Sequence, residues 1–214
     1  MLRFNCMGFP VTVHWWFWLL TAFLGGALDA KGPQAFSLVL IFMGIAFLSI
    51  LAHELGHALA ARQSGSESQI ELHGMGGLAR FSPMGMSRNH LIRISLAGPG
   101  AGFALAAIFW AINVFVEEHG GFYGRHALGV GMLVNTVWSI FNLIPIYPMD
   151  GGQVLNLLLG PERRGTTAGI GAGLAILIGV YAFRMGQPYL AILMGFFAFS
   201  NLASAGRQQR TGPN

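Results

Sequence analysis

Long stretches without charge constrain this chain more than any other feature. Between Phe36 and Leu51 there is no ionisable side chain, and similar apolar runs recur further along the sequence. A soluble domain needs a polar surface, which such runs cannot supply. Of the 214 residues, 54% are hydrophobic and 9% are charged, whereas about one quarter are charged in soluble domains. The sequence therefore predicts a protein whose solvent is a lipid bilayer.

We predict an all-α polytopic membrane protein with about six transmembrane helices. A helix needs about 17–25 apolar residues to cross the hydrocarbon layer. Six segments meet this requirement, namely residues 11–28, 35–61, 91–116, 127–147, 166–183 and 188–205. A brief helix is predicted from Gly152 to Gly160, ahead of the fifth segment. The first segment is rich in tryptophan and lacks a small-residue cleavage site, which indicates a retained anchor.

The distribution of basic residues predicts the orientation of these segments. Lys and Arg in short loops are retained on the cytoplasmic side. With a cytoplasmic N-terminus, nine arginines lie on that side, and only Lys31, Arg125 and Arg184 lie on the other. We therefore expect both termini in the cytoplasm and the chain in the plasma membrane.

The longest polar connection, residues 62–90, is too short to hold a folded module, so one domain over residues 1–214 is predicted. Within it, apolar Ile70 and Leu72 alternate with polar Glu71 and His73, and a glycine-rich turn follows at residues 74–77. This pattern predicts a small β-hairpin at about residues 68–82. An irregular loop is the alternative.

Charge and cysteine content exclude other classes. The formal net charge of +4 comes from scattered residues without a clustered basic face, so no nucleic-acid partner is expected. Cys6 is the only cysteine, and it can form neither an intrachain disulfide nor a thiolate cluster. Any metal site must use histidines and carboxylates.

The motif His53-Glu54-Leu55-Gly56-His57 lies near the end of the second apolar segment. Residues four apart lie on one helix face, so both imidazoles can bind one metal ion, and zinc suits such ligands. Glu54 can act as general base for a water molecule that the ion activates. Ionisable residues are costly in lipid and usually mark function. His53 precedes Arg62 by about 13 Å along the axis, which predicts a metal below the membrane surface.

Catalytic zinc usually has three protein ligands, so a third ligand is needed besides the two histidines. Among the remaining acids, Asp150 stands apart because it follows Pro145 and Pro148 and precedes Gly151 and Gly152. Broken backbone at membrane depth is tolerated where it is buried in protein or lines a wet cavity. Asp150 is therefore a candidate ligand.

Together, His-Glu-x-x-His and the later Asn-x-x-Pro-x-x-Pro-x-Asp-Gly-Gly from Asn142 to Gly152 resemble the site-2 protease family of intramembrane zinc metalloproteases. The resemblance runs from the first apolar segment to Gly152. It implies that Asp150 is the third ligand of one zinc ion per chain. It also implies that Asn142 handles substrate near the metal.

One segment departs from the family pattern. The run from Ser95 to Gly102 resembles the family's Gly-Pro-x-x-Asn segment, but Gly102 stands where asparagine is common. We interpret Gly98 and Gly102 as a small-residue pair that lets the third helix approach the metal-bearing one. The PDZ and CBS modules of some family branches are absent from the sequence, which indicates a bare catalytic core.

The predicted activity is endoproteolysis of transmembrane segments, as in regulated intramembrane proteolysis, on a substrate that is a single-pass membrane protein. The substrate helix must unwind before attack, and the predicted hairpin could bind the extended segment by strand addition. Two rival functions are a metal transporter or sensor and a catalytically silent relative that binds membrane proteins. Few intramembrane acids argue against the first, and the intact Glu54 argues against the second.

Overall fold

The structure is a computed structural model that describes residues 1–116 and 121–210, with side chains described up to residue 205. The chain divides into two compact units, Met1–Ile140 and Phe141–Asn214. The single domain over residues 1–214 stays a prediction.

A four-stranded sheet lies in the first unit. Its strands are β1 (Leu2–Cys6), β2 (Phe9–Val13), β3 (Ser68–His73) and β4 (Gly76–Phe81), in the order β1-β2-β3-β4. Strands β1 and β2 pair antiparallel, β2 and β3 parallel, and β3 and β4 antiparallel. The predicted hairpin at residues 68–82 is confirmed.

The β1–β2 hairpin corrects the first predicted membrane segment. Residues 11–13 belong to β2 instead of a helix. Phe9, Val11 and Val13 alternate with more exposed residues and are at most 3% exposed, as period-two packing of one strand face requires. They form a core with Ile70 and Leu72 of β3 and with residues of the following helices.

Four helices complete the described part of the first unit. They are α1 (Trp15–Leu24), α2 (Gly32–Gln63), α3 (Arg88–Val116) and α4 (Phe122–Asn142), of which α4 ends just inside the second unit. With 32 residues, α2 is about 48 Å long. The C-terminal half of α2 packs against β3 and also contacts α3, and α2 contacts β4 as well.

The second unit contains α5 (Asp150–Leu159), a short 3-10 turn (Pro161–Arg163), α6 (Arg164–Arg184) and α7 (Pro188–Arg210). The predicted brief helix at residues 152–160 is therefore confirmed as α5, with an earlier start. Residues of the segment before α5, Ile146 and Met149, pack with Ala175 of α6 and with Met194 and Phe197 of α7.

Among the described residues, four helices are long and apolar enough to cross a membrane: Gly32–Gln63, Arg88–Val116, Pro161–Arg184 and Pro188–Ala205. The chain is a membrane protein. The prediction of six spans is not confirmed. Helix α1 has ten residues, about 15 Å and half of a hydrocarbon layer, and α4 is not one of the four.

Candidate metal centre

Helix α2 carries the three residues of the predicted motif into the interior. His53, Glu54 and His57 are 2%, 4% and 7% exposed. They belong to α2, and only 28% of the most apolar 18-residue stretch of this helix is buried. The polar motif is therefore more buried than the apolar part of the same helix. Buried ionisable groups require partners or a metal. The burial therefore sets these residues apart from the lipid-facing residues of α2.

The two imidazoles face each other. His57 Nε2 and His53 Nε2 are 3.1 Å apart, and the rings are nearly perpendicular, at 78°. His57 Nδ1 lies 2.7 Å from the backbone oxygen of Ile94 on α3. A carbonyl oxygen only accepts, so Nδ1 carries the proton and Nε2 presents a lone pair. Helix α3 thus fixes the tautomer of His57.

This geometry fits a zinc ion. Two nitrogens bonded to one tetrahedral zinc at 2.0–2.1 Å would lie about 3.3–3.4 Å apart, close to the observed 3.1 Å between the Nε2 atoms. Metal-binding histidines usually donate their other N–H to a carbonyl or carboxylate, which fixes the ring. The backbone oxygen of Ile94 accepts such a hydrogen bond from His57 Nδ1.

Gly98 of α3 makes room for the histidine pair. A Cβ atom at this position would overlap His57 Nε2 and would lie 2.8 Å from His53 Nε2. Both atoms are the nitrogens that would bind metal. Only glycine at residue 98 leaves them accessible, so the predicted close approach of the third helix is confirmed at Gly98.

Gly102 has a different neighbour from the one predicted. A Cβ atom there would overlap Ser139 Oγ of α4, so this residue packs against α4. A close contact between α3 and α2 is made instead by Ala101 of α3 and Gly56 of α2. A Cβ atom at Gly56 would lie 2.8 Å from Ala101 Cβ. Residues 98 and 102 are one turn apart but serve two different helix contacts.

Glu54 lies against strand β4. A Cβ atom at Gly77 would lie 2.5 Å from Glu54 Oε1, so the glycine lets the strand backbone approach the carboxylate. Gly77 pairs with Leu72 of β3. The sheet therefore brings a strand backbone next to the predicted general base.

Asp150 and Asn142 lie at the two ends of the segment that contains both prolines. Asn142 is the last residue of α4 and is half-buried, and Asp150 is the first residue of α5 and is 6% exposed. A carboxylate in the first turn of a helix is favoured by the helix dipole. Cβ atoms at Gly151 and Gly152 would overlap or crowd backbone atoms of residues 143–147, so the two glycines allow α5 to start against this segment.

Asn201 of α7 is a structural residue that was not predicted from the sequence. Its Nδ2 donates to the backbone oxygens of Tyr147, at 2.6 Å, and of Phe197, at 2.8 Å. Asn201 is 2% exposed. It thereby holds the segment that leads to Asp150. An asparagine inside an apolar helix was the available signal.

His53 and His57 of the first unit and Asp150 of the second unit each offer one possible ligand atom for a metal ion. That one ion binds all three stays a prediction. His14 and His73 are placed elsewhere, and they line a cavity of about 530 Å³ together with Trp16 and Met75. Burial lowers the pKa of His73, and repulsion from His14 adds to the effect. His73 Nδ1 accepts a hydrogen bond from the backbone N–H of Met75.

Known proteins with similar sequences are named for zinc-dependent proteolysis. A zinc metalloprotease of Methanocaldococcus jannaschii is 28% identical over 202 residues, which is 92% of this chain and 57% of the relative. A protein of Synechocystis sp. whose name contains the same term is 31% identical over 190 residues, 83% of this chain and 50% of the relative. A scan against protein-family models finds no match.

The chain thus spans about half the length of the curated relatives it matches. Among solved structures, a site-2 protease from Methanocaldococcus jannaschii has a TM-score of 0.69 and 26% sequence identity. The match covers 95% of this chain and 94% of that one. The similarity therefore extends over nearly the whole length of both chains. In sequence and in fold, the chain is similar to the site-2 protease family.

Proposed function

We propose that this chain is an intramembrane zinc metalloendopeptidase that cleaves transmembrane segments of single-pass membrane proteins. The observation that carries the proposal is the His53–His57 pair, whose Nε2 atoms lie 3.1 Å apart in a helix apolar enough to cross a membrane. The names of the relatives and the similar site-2 protease support the same reaction class.

In this proposal, His53, His57 and Asp150 hold one zinc ion per chain. When bound, zinc lowers the pKa of a water molecule towards 7 and polarises the scissile carbonyl. His57 is kept in the tautomer needed for binding by its bond to Ile94. Glu54 takes the proton of the attacking water and returns it to the leaving amine. Asn142 orients the substrate.

The general base can be tested with Glu54→Gln, which removes the base but no ligand. We expect full zinc content and a rate lower by about 10²–10⁴-fold, the usual contribution of general acid–base catalysis. Cleavage would be followed on a co-expressed single-pass reporter with a tag on each side, and zinc by atomic emission of the purified protein.

Glu162→Gln is the matched control, because Glu162 is an exposed residue of the 3-10 turn. It should leave both readouts unchanged. Turnover by Glu54→Gln near the wild-type rate would refute the assignment. Comparing membranes of wild-type and Glu54→Gln cells by proteomics would then reveal natural substrates as fragments that persist.

We further propose that the substrate adds as a strand to β4, which is an edge strand of the sheet. Gly77 lies beside Glu54, so a strand paired here would run past the base. In an antiparallel hairpin with a two-residue loop, alternate residues of the edge strand direct their N–H and C=O outwards. By the observed register these are Gly77, Ala79 and Phe81.

Ala79→Pro tests this binding mode, since proline removes an outward N–H and is tolerated on edge strands. We expect reporter cleavage to fall while zinc content stays unchanged. Ala79→Val, which keeps the N–H, is the control. Leu72, in contrast, is fully buried in β3 between two neighbours, so proline there would disrupt the sheet. Equal cleavage by Ala79→Pro and Ala79→Val would exclude strand addition at this edge.

A further inference from the structure

Three buried polar side chains lie on α2 and α4 in the first unit, and none of them is a predicted metal ligand. Ser49 of α2 and Asn135 of α4 are each 1% exposed, and Ser139 of α4 is fully buried. Ser49 precedes Arg62 by about 20 Å along the helix axis. Because the hydrocarbon layer is about 30 Å thick, these side chains lie where neither bulk water nor lipid headgroups can solvate them.

The side-chain hydrogen bonds of Asn135 are made by its amide nitrogen. Its Nδ2 donates to Ser49 Oγ and to the backbone oxygen of Gly131, both at 2.8 Å. The Gly131 oxygen can only accept, so the orientation of the amide is fixed. Among the described residues, Asn135 Oδ1 has no hydrogen-bond partner.

A second buried oxygen without a hydrogen-bond partner among the described residues is Ser139 Oγ, on the same face of α4 as Asn135. Ser139 is one turn from Asn135. Gly102 of α3 faces Ser139 Oγ, so α3 closes this side of the cluster. The hydroxyl of Ser49 accepts from Asn135 and still has its own proton to donate.

Buried polar atoms in native proteins nearly always have a partner, and where the protein supplies none the partner is usually an ordered water. Such a water typically makes two to four hydrogen bonds. In lipid the requirement is stricter, because no solvent can replace the missing partner. The cluster offers an acceptor at Asn135 Oδ1 and hydroxyl groups at Ser139 and Ser49.

We propose that Ser49, Asn135 and Ser139 form a binding site for water within the membrane-embedded part of the chain. The water donates to Asn135 Oδ1 and exchanges a hydrogen bond with Ser139 Oγ, while the Ser49 hydroxyl donates to it. Ser49 lies one turn before His53 on the same face of α2. Binding of this water rests on the polar atoms alone and does not depend on the proposed function.

Removing the Ser139 hydroxyl distinguishes a hydrated cluster from a dry one. If water is bound, Ser139→Ala deletes a hydrogen bond, and we expect the unfolding midpoint of the full-length protein in detergent to fall by about 2–4 °C. If the cluster is dry, deleting an unpartnered hydroxyl leaves the midpoint unchanged or raises it. Ser37→Ala is the control, because its exposed hydroxyl donates to Pro33 at the helix surface and should change the midpoint little.

A direct measurement is NMR of the protein with ¹⁵N in its asparagine side chains. We expect a cross-peak between water and the Asn135 amide protons with the sign of a long-lived bound water, and we expect it to weaken in Ser139→Ala. The resonance is assigned by its loss in Asn135→Leu. The Glu54→Gln protein should give the same cross-peak, so the result does not depend on proteolysis. No cross-peak in the wild-type protein, or a Ser139→Ala midpoint at or above that of wild type, would overturn the proposal.

Discussion

Two glycines lie in close contact with the side chains of the histidine motif. Gly98 leaves space for the Nε2 atoms of His53 and His57, and Gly77 leaves space for the Glu54 carboxylate. Neither glycine has a positive φ, so both are required by close contact and not by backbone conformation. Each glycine therefore borders a different part of the motif, the two histidine nitrogens at Gly98 and the Glu54 carboxylate at Gly77.

Gly98→Ala should weaken zinc binding. The added methyl group would overlap the His57 nitrogen, and a ligand that loses its fixed orientation typically costs about 10–100-fold in metal affinity. Affinity would be measured by competition with a chromogenic chelator. Gly100→Ala is the matched control in the same helix, since a Cβ atom at Gly100 meets nothing within 4 Å. Equal zinc affinity of the two variants would contradict the contact.

Single residues differ in how far sequence could predict them. His53, Glu54 and His57 form a local motif whose spacing alone places them on one helix face. Ser49, Asn135 and Asn201 were missed, because isolated polar residues in apolar helices have no spacing that indicates their partners. Their contacts are with residues on other elements. Only the cost of polar groups in lipid singled them out.

Among the elements, the β1–β2 hairpin was missed for a specific reason. The alternating residues Phe9, Val11 and Val13 of β2 are followed almost directly by the apolar helix α1. The change from the two-residue repeat of a strand to the repeat of a helix was therefore hidden within one apolar run. The β3–β4 hairpin has polar residues on both sides, so its two-residue alternation could be recognised. At the end of α4, the helix was predicted to reach residue 147 but stops at Asn142, because Pro145 disfavours helical backbone before it.

The segment between α4 and α5 depends on Asn201 for its position. Asn201→Leu removes the hydrogen bond to the Tyr147 oxygen, so we expect a less stable second unit and a lower zinc affinity if Asp150 is a ligand. Thermal unfolding and chelator competition measure the two effects. Ser204→Ala, which deletes an exposed hydroxyl that donates to the Ser200 oxygen within α7, is the control. Unchanged stability and affinity in Asn201→Leu would show that this bond does not hold the segment.

For the molecule as a whole, the sequence predicted a lipid environment and a likeness to site-2 proteases, whereas its six spans are not confirmed. Among the described residues, four helices are long and apolar enough to cross a membrane, and neither the ten-residue α1 nor α4 is one of them. The apolar content of a segment does not by itself give the length of the helix that forms in it. Local alternation also cannot predict that β2 pairs with β3, since that contact depends on the path of the intervening helices.

The predicted orientation can be tested by labelling single cysteines. In a Cys6→Ser background, Met84→Cys places one thiol at a residue 89% exposed, on the side predicted to be cytoplasmic. We expect an impermeant maleimide to label it only after the cells are permeabilised. Lys31→Cys, in the loop before α2, should be labelled in intact cells. The reverse pattern would invert the orientation.

Parallel pairing of β2 with β3 also has a consequence for biogenesis. Val13 pairs with Leu72, nearly sixty residues later, and the chain between them includes α1 and the whole of α2. During synthesis, β2 must wait until all of α2 has been made before its partner strand β3 emerges from the ribosome. Non-local pairings of this kind form late. A nascent chain therefore carries the histidine motif before the four-stranded sheet can be completed.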